Sequence, residues 1–141
     1  MVYIAADNPL PPIEWQADVS YLSVSELREA DRVVIKQFTK PFVYFAGAYT
    51  GCSCGFEYGQ RPIEDEKDKQ EDSWGRRSVS ELSEYISNAV RQGSIEMFAC
   101  WSGGEEDEPE ERLSVAPDYF GGESFAFKED QFIVVCQSEQ I

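Results

Sequence analysis

Phe132-Ile-Val-Val-Cys136 is an unbroken apolar run. It is too short for an ordinary helix, and its branched side chains suit a strand. The lack of polar alternation suggests a strand covered on both faces, which commits the chain to a packed sheet. Other short runs repeat the pattern: Val2 to Ala6, Phe42 to Ala48, Ser94 to Trp101, Arg112 to Ala116 and Phe125 to Phe127. Asp7-Asn-Pro-Leu-Pro-Pro12 ends the first, because proline removes ladder donors and fixes φ. Cys54-Gly-Phe-Glu-Tyr58 alternates weakly, and is read as a strand returning antiparallel to Phe42–Ala48 around a hairpin loop from Tyr49 to Ser53.

Two helices are predicted. Ser23-Val-Ser-Glu26 and Ser78-Val-Ser-Glu81 each match a capping box, in which serine and glutamate satisfy each other's free amides. Apolar residues follow at helical spacing: Val24, Leu27, Ala30, Val34 and Phe38, then Val79, Leu82, Ile86, Ala89 and Val90. Pro41 stops the first helix and Gly93 the second. The spacing predicts helices over about 24–38 and 79–92.

Ser-Val-Ser-Glu-Leu itself occurs twice, at Ser23–Leu27 and Ser78–Leu82, each copy leading to a strand that contains Phe-Ala. A duplicated α-β-β unit is one reading, with Phe45 and Phe98 in equivalent core sites. Coincidence is the other, since capping boxes select serine and glutamate anyway. The element order predicts a single α+β domain over residues 1–141, a mainly antiparallel sheet of about six strands with both helices on one face.

Charge narrows the function. Twelve Lys and Arg face 27 Asp and Glu, a net −15. Such a surface repels nucleic acid and anionic membranes, and suits a basic protein partner. The acids gather in two stretches, about 63–73 and 103–111, both read as solvated mobile loops. Glu105, Glu106, Asp107 and Glu108 are the candidate partner contacts. An inhibitor or immunity-type role fits this character; bare solubility is the competing reading. Taken as a complete chain, the sequence has no basic leader and no apolar run near the roughly 20 residues of a membrane span, which predicts a cytoplasmic protein.

There is no histidine. Ser-His-Asp and Cys-His mechanisms and the histidine-containing zinc sites are therefore excluded within this chain. No carboxylate pair stands out as an acid and base, and no catalytic residue or cofactor is assigned. Nothing indicates an oligomeric state.

Four cysteines remain: Cys52, Cys54, Cys100 and Cys136. Structural zinc usually takes cysteine pairs about two to four residues apart, and the single Cys-x-Cys pair here does not fit, so no metal is assigned. Cys100 and Cys136 fall in predicted strands and are expected to be buried and inert. The glycine-flanked loop Gly51-Cys-Ser-Cys-Gly55 leaves three readings: a tight turn, a thiol redox or metal-responsive pair formed by Cys52 and Cys54, or part of an aromatic-lined ligand or enzyme pocket with Tyr49 and Trp101.

Overall fold

A computed structural model describes residues 1–137 of the chain. The strands are β1 (Val2–Ala6), β2 (Leu22–Glu26), β3 (Phe42–Ala48), β4 (Glu57–Tyr58), β5 (Ile95–Ala99), β6 (Glu111–Val115), β7 (Phe125–Ala126) and β8 (Gln131–Val135). The two long helices are a 3-10 helix over Glu29–Gln37 and the α-helix α1 over Glu66–Ala89; Ser53–Gly55, Val90–Gln92 and Pro117–Tyr119 are single 3-10 turns. Six strands form one sheet in the order β2-β3-β1-β5-β8-β6, and β4 pairs with β7 in a separate small sheet. All neighbours are antiparallel except β6 and β8, which run parallel. The α+β class and the six-stranded, mainly antiparallel sheet agree with the sequence.

The sheet is covered on both faces, as the Phe132–Cys136 run implied. On one face Val2, Ile4, Ala46, Met97, Ile133 and their neighbours lie under Val79, Leu82 and Ile86 of α1. On the other, Tyr3, Phe98 and Phe132 pack with Val34 of the 3-10 helix, and Phe38 and Phe45 close the edge. Alternation along each strand produces this division, since successive side chains point to opposite faces. The two helices therefore cover opposite faces, not one.

The first expected helix is largely absent. Ser23–Glu26 belongs to β2, which pairs along its whole length with β3 and forms a bridge from Val24 to Ile13. A capping signature is worth only about 1 kcal/mol, and burying Leu22 and Val24 beneath α1 outweighs it. The helix that follows is 3-10, nine residues long, with Asp31 and Val34 buried three residues apart.

The second helix starts at Glu66, 13 residues before the expected first residue Val79. Asp65 is its cap: its side chain accepts the Asp68 amide at 2.8 Å. Glu66 and Asp68 sit where the helix dipole favours anions. Arg76 reaches back to Asp72 and Arg77 forward to Glu81, one turn apart. Most of the supposed acidic loop 63–73 is thus helix. Ser78 is not a cap but a buried interior residue whose hydroxyl accepts the Tyr49 amide at 3.0 Å. Gly93, at φ +141°, ends the segment as expected.

Duplication is not supported. One copy of Ser-Val-Ser-Glu-Leu is strand and the other helix, and the helices lie on opposite faces. Phe45 and Phe98 do flank Tyr3 on the two sides of β1, but the sheet's own pairing accounts for that. The predicted hairpin is also absent: Glu57–Tyr58 leaves β3 and pairs with Phe125–Ala126.

Candidate functional site

The pairing register defines two ends of the large sheet. Val2 lies opposite Ala46 and Ala99, and Ala99 lies opposite Gln131, which in turn meets Glu111. The loop from Cys100 to Glu110 therefore emerges at the end marked by Val2. α1 runs past the same end. Its Ser78 meets Tyr49 just beyond β3, whereas Tyr85, further along, donates to the Pro11 carbonyl beyond the opposite end of β1. The first half of α1 consequently projects on the Val2 side. Two acidic segments distant in sequence thus lie toward one end of the sheet, one from each face.

These segments, 64–72 and 105–111, contain twelve of the 27 acids but only two of the 12 bases, so most of the net charge lies here. Few of the acids are neutralised. Glu106 is 3.7 Å from Lys36, Glu71 3.9 Å from Lys67, Asp72 3.7 Å from Arg76 and Glu111 3.6 Å from Lys128. Among the described residues, Glu64, Glu66, Asp107, Glu108 and Glu110 are exposed and have no ion pair.

The four acids singled out in the sequence divide. Glu106, Asp107 and Glu108 face solvent. Glu105 turns inward and is 7% exposed; its two oxygens accept the Gly103 amide at 3.2 and 3.0 Å, and it lies 3.7 Å from Cys100 Sγ. Burial, reinforced by the Glu105 carboxylate, pushes the Cys100 thiol up to about 12. Cys100 is buried as expected, whereas Cys136 lies just past β8 and is only partly covered.

Gln37 was not legible as a site residue. Its side-chain amide donates to the Glu105 carbonyl at 3.0 Å and the Asp107 carbonyl at 2.7 Å, fastening the acidic loop to the 3-10 helix. Glu96, a carboxylate within β5, is buried. It accepts from the Thr39 amide at 2.9 Å, the Thr39 hydroxyl at 2.7 Å and the Lys40 amide at 3.2 Å, fixing the turn that follows that helix. No spacing rule identifies such long-range partners.

The Cys-x-Cys loop lies near the same end of the sheet. Cys52 and Cys54 are joined as a disulfide. Ser53 between them is buried: its hydroxyl accepts the Val2 amide at 2.8 Å and donates to the Ala46 carbonyl at 2.6 Å. Cys54 is exposed and lines a cleft of about 90 Å³ with Tyr49, Glu57, Arg61 and Glu71. Tyr49 packs against Trp74 in a tilted contact with ring centres 5.6 Å apart. Burial, with the Glu71 and Glu57 carboxylates, holds its phenol above the ordinary value. Trp101 does not line this cleft; it is 69% exposed at the start of the acidic loop. The expected grouping of Cys52, Cys54, Tyr49 and Trp101 thus separates: Tyr49 and Cys54 line the cleft, Cys52 is tied to it only through the disulfide, and the Trp101 indole stands apart.

A larger cavity of about 240 Å³ lies at the opposite end, between the 7–11 loop and the end of α1. Among the described residues, no three acidic or thiol side chains converge to hold a metal ion, and no helix is long and apolar enough to cross a membrane. No protein-family model, curated protein or solved structure matches the chain.

Proposed function

We propose that the chain is a small acidic binding protein of inhibitor or immunity type, which engages a basic protein through the Val2 end of its sheet. The placement of both acidic segments toward that end carries the reading. Solubility alone would be served by acids scattered over the surface, whereas concentrated like charge builds a field that draws in a complementary face. The supports are ordered before binding: one segment is helical and the other is held by Gln37 and Glu105. Ordered supports reduce the entropy lost on association. Trp101 adds an exposed ring at the same end, the residue type most enriched among interface hot spots and a good surface for a cation.

The test is affinity capture from native cells at low and high salt, followed by mass spectrometry. A basic protein retained at low salt, released at high salt and rebinding as a purified partner supports the proposal. Its absence under both conditions counts against it.

A further inference from the structure

Ser53 anchors the Cys-x-Cys loop from within through Val2 and Ala46. Gly55 packs against Ala48, and Gly75 of α1 lies directly on the Glu57 carbonyl. None of these contacts involves sulfur, so the loop backbone has anchors that do not depend on the disulfide. The exposed Cys54 borders the cleft, and the Thr50 hydroxyl lies 3.3 Å from Cys52 Sγ and 3.5 Å from Cys54 Sγ. A thiol entering the cleft therefore meets a sulfur at the surface, while the departing sulfur has a hydroxyl beside it.

The cleft also selects by charge. Glu57, Asp68, Glu71 and Asp72 line it against one cation, Arg61, which already lies 3.2 Å from Glu57. This environment repels anionic thiols and attracts cationic ones. We infer that Cys52–Cys54 is a redox-active site that exchanges with a thiol carried beside a positive charge, on either a small aminothiol or a basic peptide. The incoming thiolate attacks Cys54 Sγ and forms a mixed disulfide with it. The Cys52–Cys54 bond breaks, and its electron pair leaves on Cys52 Sγ, which takes a proton from water. A second thiolate attacks the sulfur of the bound co-reactant, releasing its disulfide and freeing Cys54, which is protonated in turn. Two thiols are oxidised to one disulfide, and the protein disulfide is reduced to a dithiol.

The test uses the oxidised protein and three thiols, cysteamine, 2-mercaptoethanol and 3-mercaptopropionate, at equal thiolate concentration. Each rate is normalised to the same thiol's rate on 2-hydroxyethyl disulfide, which removes intrinsic nucleophilicity. Opening of the pair is followed by alkylation and peptide mass. Cysteamine should exceed 3-mercaptopropionate by roughly tenfold at low salt, converging to within about twofold at 1 M salt. Glu71→Gln should narrow the low-salt ratio. In a further arm, an arginine-flanked cysteine peptide outpacing cysteamine assigns the co-reactant to a peptide thiol, and the reverse order assigns it to a small aminothiol. Circular dichroism should be unchanged on reduction. Equal normalised rates for the three thiols, a faster anionic thiol, cysteines that stay reduced under excess cystamine, or unfolding on reduction would each overturn the inference.

Discussion

Gly75 in α1 and the carbonyl of Glu57 are in direct contact: the first carbon of any side chain at 75 would be driven into the Glu57 oxygen. This contact seats the helix on the strand that follows the cysteine loop, and joins the acidic half of α1 to the cleft. Glycine in a helix interior ordinarily costs about 0.5–1 kcal/mol relative to alanine. Here the sign should reverse. Gly75→Ala should destabilise by about 1–3 kcal/mol, the range for overpacking a close contact. Denaturant unfolding checks this, and a stabilised variant would show that the helix is not seated so closely.

Asp65 and Ser78 separate two accounts of where α1 begins. Asp65→Ala should cost about 0.5–2 kcal/mol through loss of the cap, with reduced helix signal in circular dichroism. Ser78→Ala should leave the helix content unchanged and destabilise by orphaning the Tyr49 amide. Helix lost through Ser78→Ala and kept in Asp65→Ala would restore the later start.

How much of this was legible depends on whether the signal was local. Val2–Ala6 and Phe42–Ala48 are short apolar runs bounded by breakers, and their composition sufficed. Ser23–Glu26 was misread because serine and valine serve a cap as well as a strand, and its pairing with β3 decides between them. Glu66–Asp72 was misread because a helix that projects from the core needs no apolar stripe; its glutamates, lysines and glutamine are strong helix formers, and that was the overlooked signal. The inward turn of Glu105 and the grip of Gln37 on the acidic loop are tertiary facts without a sequence period.

Ser53 should matter more than either flanking cysteine for stability. Ser53→Ala orphans the buried Val2 amide and should cost about 1–3 kcal/mol. Replacing Cys52 and Cys54 together by serine should cost less, since the loop backbone has anchors that do not depend on the disulfide. Equilibrium unfolding of both variants gives the order, and the reverse order would show that the disulfide holds the loop.

Cys100 supplies a pH dependence. Its folded-state thiol lies at about 12, above the ordinary 9.0, because burial and Glu105 disfavour the thiolate. A group raised on folding stabilises fully below its unfolded value and loses that contribution as pH rises toward the folded one. Stability should therefore fall between about pH 9 and 12. Cys100→Ser, which does not ionise there, should show a shallower fall; identical slopes would remove Cys100 from the account.

The most direct measurement of the central claim is the association rate between the chain and its captured basic partner across a salt series. It is compared with a variant in which Glu64, Glu66, Asp107, Glu108 and Glu110 are replaced by glutamine or asparagine. These acids are exposed and without ion pairs among the described residues, so the variant should fold unchanged. The wild-type rate should fall by at least about tenfold between 20 and 500 mM salt, while the variant should start low and vary little. A wild-type rate indifferent to salt and matched by the variant would contradict binding through the acidic end of the sheet.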